Sequence, residues 1–279
     1  MLTMHWGGWP VTVALGALGL AGLGYATLIE PGSPVLERLT LRLPQLPPAL
    51  EGLRIGQLSD MHLGLLHTTQ NTRWSVQQML REQPDLIVIT GDFVTLPGAI
   101  AEIGDLLRPL HAPLGVYAIT GNHDYWEGID EVRAAVEALD IHLFFNGNVR
   151  LSWQGTEFYL AGVDDMWYGA PDLDATLAGI PADAFTILLA HEPDFAENAA
   201  VRGVDVQLSG HTHGGHIHMP GLGALCLPRM GVHYAGGFEQ VGPMQLYVAR
   251  GLGGVPVRFN CPPEATLITL TRGEGRGRG

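Results

Sequence analysis

Lysine is absent from this 279-residue chain: its 15 basic residues are all arginine, against 28 acidic ones, and the net charge is −13. That absence removes lysine nucleophiles and Schiff bases from consideration. The acidic balance makes the chain a poor electrostatic match for nucleic-acid backbones or anionic surfaces, so no nucleic-acid partner is expected. Cysteine is nearly absent too. Cys226 and Cys261 are too few and too far apart for a disulfide framework or a zinc cluster, and they read as two buried thiols. No internal repeat is present, and nothing in the composition speaks to oligomeric state. What is plentiful is apolar residues, 46% of the chain, enough to bury a substantial core. Twelve histidines complete the inventory, and their placement matters.

A further absence is local. Residues 1–29 contain no Asp, Glu, Lys or Arg, and Val11 to Ile29 is apolar or small almost throughout. As a helix, that stretch would span about 28 Å, close to the hydrocarbon thickness of a bilayer. Trp6 and Trp9 precede it, where interfacial aromatics belong. A signal peptide would need a basic n-region and a small-residue cleavage site, and neither is evident. A buried core helix seldom lacks polar residues so completely. The segment 1–30 therefore reads as a membrane anchor. Gly16, Gly19 and Gly22 form a small-residue face that suits either helix pairing or plain lipid contact. Arg38 and Arg42 follow the segment and no basic residue precedes it. The positive-inside rule then leaves the C-terminal domain in the cytoplasm, against the partial offset of Glu30 and Glu37.

Residues 31–50 carry five prolines and read as an extended connector, with an edge strand at Val35–Leu43. The globular domain is expected over 51–271 and a disordered tail over 272–279. Within the domain, apolar runs at Leu53–Leu58, Leu86–Thr90 and Gly115–Thr120 read as strands. They alternate with helices at Thr72–Gln83, at Ile100–Leu107, and on the face marked by Ile129, Val132, Val136 and Leu139. The second half adds a hairpin around Gln154-Gly155 and strands at Phe185–Ala190, Val204–Leu208, Gln245–Ala249 and Ala265–Thr271. Such alternation predicts an α/β fold with a largely parallel sheet.

Metal-type ligands follow five of these strands: Asp60 with His62, Asp92, Asn122 with His123, His191, and His211 with His213. Strand carboxyl ends are where open α/β sheets bind ligands. In D-x-H and H-x-H, residues two apart would share one side of an extended chain. Mixed oxygen and imidazole donors suit Mn, Fe, Zn or Co. A single such motif would be ordinary loop chemistry; five in one domain are not.

The series D-x-H, G-D, G-N-H-D, H and G-H-x-H resembles the calcineurin-like metallophosphoesterases, in that family's order. The resemblance implies a four-layer α/β/β/α sandwich and two divalent metal ions, manganese fitting best. It implies one ion on Asp60, His62, Asp92 and His213, and the other on Asp92, Asn122, His191 and His211. Water held between the ions would attack phosphorus in line, and His123 would protonate the leaving oxygen. Asp124 would either orient His123 or serve the turn. Tyr125 and Trp126 could line the substrate mouth, and Arg250 could contact phosphate or join a salt bridge. His216 stands where related membrane-linked members usually carry Gln; it would be a loop histidine or a further metal contact. Asp164 and Asp165 also follow a strand, with no role that the pattern suggests.

Gly91-Asp92 is followed by Phe93-Val94-Thr95-Leu96, without the Asp and Arg of the family's protein phosphatases. The anchor, the Pro-rich connector, Gly210-His-Thr-His-Gly-Gly215 and Arg258–Glu264 are similar to one branch, the membrane-associated bacterial phosphodiesterases. That branch includes UDP-2,3-diacylglucosamine pyrophosphatases of lipid A synthesis. The expected substrate is therefore a phosphodiester or pyrophosphate, lipid-linked in that case. An exported phosphodiesterase acting at the cell wall is the alternative, and a membrane-tethered metal-binding scaffold is the alternative of another class. Degenerate scaffolds lose ligands; here all seven ligand positions and His123 are filled.

Overall fold

The computed structural model describes residues 9–273, so Trp6 and residues 274–279 lie outside the described part. Helix α1 (Trp9–Gly24) continues through a wider turn at Tyr25–Ile29 and a tight turn at Glu30–Gly32. Val13, Leu15, Leu18, Leu20 and Leu23 are exposed along it. The helical run Thr12–Gly32 is long and apolar enough to cross a membrane. No other group comes within contact distance of Gly16, Gly19 or Gly22.

The chain then alternates strand and helix: β1 (Val35–Leu43), β2 (Arg54–Leu58), α2 (Thr68–Glu82), β3 (Leu86–Thr90), α3 (Ile100–Leu107), β4 (Val116–Ile119), α4 (Asn122–Glu137) and β5 (His142–Leu143). A hairpin follows, β6 (Gly147–Trp153) and β7 (Thr156–Gly162), turning on Gln154 and Gly155. Both turn residues have positive φ, 49° and 80°, as a two-residue hairpin of matched twist requires. The short α5 (Leu173–Thr176), β8 (Thr186–Leu189), α6 (Ala196–Ala200) and β9 (Val206–Ser209) come next. A small ribbon of β10 (His218–Met219) and β11 (Gly223–Ala224), then β12 (Gly237–Val241), β13 (Met244–Val248) and β14 (Glu264–Arg272), complete the domain.

Two six-stranded sheets result, ordered β1-β14-β2-β3-β4-β5 and β12-β13-β9-β8-β7-β6. The centres β2-β3-β4 and β7-β8-β9-β13 are parallel, as strand–helix–strand connections dictate. One apolar core lies between the sheets, where Ile55, Val88 and Ile119 meet Leu160, Ile187 and Leu208. A second lies under α2, α3 and α4, and a third under α6. The molecule is thus a four-layer α/β/β/α sandwich.

Three expectations change. The connector is not a spacer: β1 pairs with β14, and Leu41, Leu43, Leu46 and Leu50 are buried in the central core. Prolines at 44, 47 and 48 sit in the turns that follow β1, where no ladder hydrogen bond is lost. Arg272 belongs to β14 rather than to a tail, its N–H donating to Glu51 at 2.5 Å. Helix α2 starts at Thr68, four residues early, because the polar Thr68 and Asn71 are buried and bonded to the backbone of Leu65, Pro31 and Leu252.

Candidate metal centre

The candidate ligand residues follow their strands at the carboxyl ends, as expected, but strand alternation does not bring them together. Strands β2 and β9 stop at Leu58 and Ser209. Asp60, His62, Asp92, His211 and His213 all have left-handed backbones, with φ of 50°, 48°, 56°, 72° and 54°. Such conformations cost on the order of 1–3 kcal/mol each in non-glycine residues and cluster at functional sites. Backbone bonds hold them: Asp60 N–H donates to Gly91 O at 2.9 Å, and His62 N–H to Asp92 O at 3.0 Å. Two glycines let the loops meet. A Cβ on Gly121 would collide with Asp92 Oδ1 and the His191 ring, and one on Gly210 with Ser59 and Asp60.

Asn122, His123 and Asp124 are not in a loop: they form the first turn of α4, with Gly121 as its cap. Asp124 is fully buried, and its carboxylate accepts four backbone N–H bonds, from Gly121 (2.9 Å), Asp92 (3.0 Å), Phe93 (2.8 Å) and Val94 (3.3 Å). None goes to His123. Asp124 therefore serves the turn, the second of its two expected roles, tying the Asp92 loop to the start of α4 rather than orienting His123 as a catalytic partner.

Three groups of donors converge: Asp60–His62–His213, His62–Asp92–His123, and Asp92–His191–His211, each within 4.8 Å. Asp92 Oδ2 lies 3.4 Å from His62 Nε2 and 3.3 Å from His191 Nε2, between the two sheets' contributions. Imidazole nitrogens face one another, His62 Nε2 to His213 Nε2 at 3.1 Å and His211 Nδ1 to His191 Nε2 at 3.3 Å. The outer nitrogens are engaged: His62 Nδ1 with Thr95 Oγ1 and His191 Nδ1 with Thr90 O, both at 2.7 Å. His211 Nε2 is likewise 2.7 Å from Arg229 O. A carbonyl only accepts, so His191 and His211 carry their protons outward and turn a lone pair inward. Asn122 Oδ1 and His123 Nδ1 are buried with no hydrogen-bond partner among the described residues. Buried polar atoms are rarely left so. Inward lone pairs, orphaned donors and carboxylates in one cluster fit a pair of divalent cations.

Electrostatics agree for His62, His211 and His213, and run the other way for His191 and Asp60. Burial is the main force holding His62 down to about 3 and His211 to about 4, and it keeps His213 well below the ordinary value. Neutral imidazole is the ligand form. Burial also pushes the Asp60 carboxyl up to about 6, with the Asp92 charge adding to it. At Asp92, burial is outweighed by the charge and hydrogen bond of His191, which keep the carboxyl well below the usual range. His191 is raised in turn, Asp92 outweighing its burial.

The site opens into a pocket of about 560 Å³ whose walls include His123, Trp126, Trp167, His216 and Arg229. Trp126 packs on His123 at 4.3 Å between ring centres, and Trp167 and Tyr168 extend this aromatic wall. His216 stacks on His213 at 4.6 Å. Trp126 and His216 are thus at the pocket, and two other candidates are not. Tyr125 turns away, its hydroxyl donating to Asp164 at 2.5 Å. Arg250 pairs with Glu37 and Glu264, both at 2.5 Å, so its salt-bridge reading holds. Cys226 is exposed at the pocket rim rather than buried; Cys261 is buried.

Sequence reasoning missed Trp167, Tyr168 and Arg229. Their signal was Asp164-Asp165 after β7. Asp165 Oδ1 accepts the N–H groups of Trp167 (2.9 Å) and Tyr168 (2.6 Å), shaping the loop that presents both rings. Arg229 lies over Trp167 at 5.6 Å. Arg258, fully buried, was missed as well: its Nη2 is 3.3 Å from His213 Nδ1 and donates to Arg250 O and Gly253 O.

A two-sheet α/β sandwich with a polynuclear ligand cluster at facing strand ends defines a metal-dependent hydrolase. The calcineurin-like phosphoesterase family model matches residues 53–215, and the chain belongs to that family. It is a hydrolase acting on phosphoester bonds. The chain is 37% identical to the metallophosphoesterase YkuE of Bacillus subtilis over 92% of its length and 93% of that protein's. It is 28% identical to phosphodiesterase YaeI of Escherichia coli, over 90% and 93% respectively. A bovine transmembrane protein with a metallophosphoesterase domain is 31% identical over 94% of this chain, which spans 62% of that protein.

Proposed function

We propose that the chain is a membrane-tethered, dinuclear-metal phosphodiesterase or pyrophosphatase. Asp60, His62, Asp92 and His213 would hold one cation, and Asp92, Asn122, His191 and His211 the other, with Asp92 shared. Supporting this division, Asp60–His62–His213 and Asp92–His191–His211 are separate donor clusters, and Asp92 lies within 3.4 Å of a histidine from each. When bound, two divalent ions supply Lewis acidity and positive charge for a phosphoryl group and an activated water. Manganese suits the donor set.

The chain's own residues do the rest. His123 holds the proton destined for the leaving oxygen, and its unpartnered Nδ1 is free to meet substrate. Trp126, Trp167 and Arg229 line the approach and would hold the leaving group. His216 would buttress His213 through their stacked rings.

The proposed substrate is a lipid-linked nucleotide-sugar such as UDP-2,3-diacylglucosamine, met at the cytoplasmic face of the inner membrane. Two observations support it: the apolar Thr12–Gly32 helix, and Arg38 and Arg42 just beyond it. The positive-inside rule counts arginines rather than net charge, so the pairing of Glu37 with Arg250 and of Arg38 with Glu82 leaves it unchanged. The test is hydrolysis of UDP-2,3-diacylglucosamine by detergent-solubilised protein with and without Mn²⁺, beside a chromogenic phosphodiester. Mn-dependent release of UMP far above the generic diester supports the substrate. Cleavage of the generic diester alone removes lipid A synthesis, and cleavage of neither with metal bound revives the scaffold.

A further inference from the structure

The foot of the apolar helix is built into the catalytic domain next to the pocket. Ala26 O accepts from Arg258 N at 2.8 Å, and the buried Glu30 carboxylate accepts from Asn260 N (3.0 Å) and Cys261 N (2.5 Å). Pro31 O accepts from Asn71 Nδ2 at 2.8 Å. Tyr25 meets the Phe259 ring edge-on at 6.5 Å, and the His67 ring lies against Gly32.

From this foot, three segments reach the pocket rim. Val255, in the pocket wall, is three residues from Arg258, so their Cα atoms lie within about 11 Å. Leu65 lines the pocket and precedes Leu66 and His67. The β10–β11 ribbon joins Phe259 through His218 N–H to Phe259 O at 2.9 Å, and Leu225 N–H returns to Ile217 O at 3.0 Å. Cys226, Leu227 and Pro228 then enter the pocket wall.

These segments expose aliphatic side chains to no partner: Leu66 is 58% exposed, Leu222 76%, Leu225 52% and Val255 58%. From Ile217 to Pro228 there is no Asp, Glu, Lys or Arg, in a chain of net charge −13. An uncharged, aliphatic rim continuous with an apolar helix matches one occupant, the bilayer that the helix would enter.

We infer that the 217–227 hairpin, with Leu66 and Val255, is a second membrane-contacting surface that sets the pocket mouth against the lipid. The site then takes phosphoesters of membrane amphiphiles straight from the bilayer, with the phosphoryl group in the pocket and the acyl chains left in the lipid. This rests on the tether proposed above and narrows its substrate class.

The native thiol at Cys226 is a reporter within the rim. The full chain would carry a nitroxide there, in vesicles of phosphatidylglycerol and phosphatidylethanolamine. A control label would sit at Val201→Cys in a Cys226→Ser background. Val201 is exposed and precedes β9, at the sheet end away from the site. The expected result is that the Cys226 label collides preferentially with membrane-dissolved oxygen, and the control with a water-soluble nickel chelate. Equal nickel access at both positions overturns the surface, as does spin–spin broadening at Cys226, which would put a second copy there.

A second measurement reads the substrate. A p-nitrophenyl diacylglyceryl phosphate would be offered with short, water-soluble chains and with long, vesicle-held chains. L222D/L225D should lower hydrolysis of the long-chain form by ~10-fold and leave the short-chain form unchanged. Equal effects on both overturn lateral entry. Failure of wild-type protein to cleave either form would sink the phosphodiesterase reading and leave label depth intact. A chain that fails to float with vesicles overturns tether and rim together.

Discussion

The two sheets contribute unequal halves to one site. The first supplies Asp60, His62 and Asp92 on loops locked to each other, and Asn122 in the first turn of α4 to which they are tied. Asp124 alone gathers four backbone N–H bonds there, beyond the reach of solvent. The second supplies His191, His211 and His213, and then runs into a long segment from His216 to Tyr234. That segment is mostly intermediate or exposed, and Asp194 ties it at its surface with two bonds of 3.3 Å to Val232 and His233. One half is a fixed frame and the other carries the variable wall of the pocket. The frame sets the chemistry, and the looser half sets what reaches it.

The widest gap between the halves should appear in stability. Asp124→Ala strands four buried N–H groups, and at about 1–3 kcal/mol each the loss should exceed about 4 kcal/mol in urea denaturation. Asp194→Ala removes its half-buried counterpart, whose two 3.3 Å bonds and contact with the exposed His233 lie at the surface, and should cost about 1 kcal/mol. Comparable losses would erase the distinction between frame and wall.

Chemistry gives the next largest effect. His123→Ala should lower kcat by roughly 10²–10⁴-fold while two metal ions remain bound, read by steady-state rates and metal analysis. Unchanged turnover would remove His123 from the mechanism. Replacing Asp92 by Asn should weaken both metal sites together in a metal titration; loss at one site only would break the shared role.

How far this was legible in the sequence follows the same division. Each strand with a ligand at its carboxyl end was readable, because buried parallel strands are short apolar runs and the polar residue that ends each run is conspicuous. The helices α3 and α4 were readable from their apolar faces. The alternation argument for D-x-H was the wrong physics: Asp60 and His62 converge through left-handed turns, which no two-residue period describes. The edge strand at Val35–Leu43 was readable, but residues 44–50 were misread as connector because proline marks turns as readily as spacers, and only the burial of Leu46 and Leu50 in the core separates the two. Asp124 stayed between orienting His123 and serving the turn because a carboxylate beside a histidine is ambiguous until its four donors are known. Trp167 had a local signal in Asp165, which accepts its N–H, whereas Arg229 was unreadable as a pocket residue, since long-range packing alone brings it to His211.

The outer bonds of the histidines should give intermediate effects. Thr95→Val takes the partner from His62 Nδ1. It should weaken the affinity of one metal site by roughly 10–100-fold and spare the other. Trp167→Ala leaves the ligands in place and opens the wall. It should raise KM several-fold with kcat held, since an aromatic contact is worth about 0.5–1.5 kcal/mol.

The smallest effect tests whether the frame depends on its far end. Glu82, at the end of α2 away from the site, bonds Arg38 of β1 at 2.6 Å and Arg54 of β2 at 2.9 Å. The Arg38 hydrogen bond, aided by the arginine charges, lowers the Glu82 carboxyl below its ordinary value of 4.5. A depressed folded value means the contribution is fully present above 4.5 and fades as pH falls through the folded value. Exposure keeps it small, about 0.2–1 kcal/mol at neutral pH. Glu82→Gln should therefore lower the urea midpoint slightly at pH 7, and the gap to wild type should close in acid. Metal affinity at pH 7 should not move, because Asp124 fixes the site end independently. A Glu82→Gln variant that lost metal would show that the first half is held from both ends.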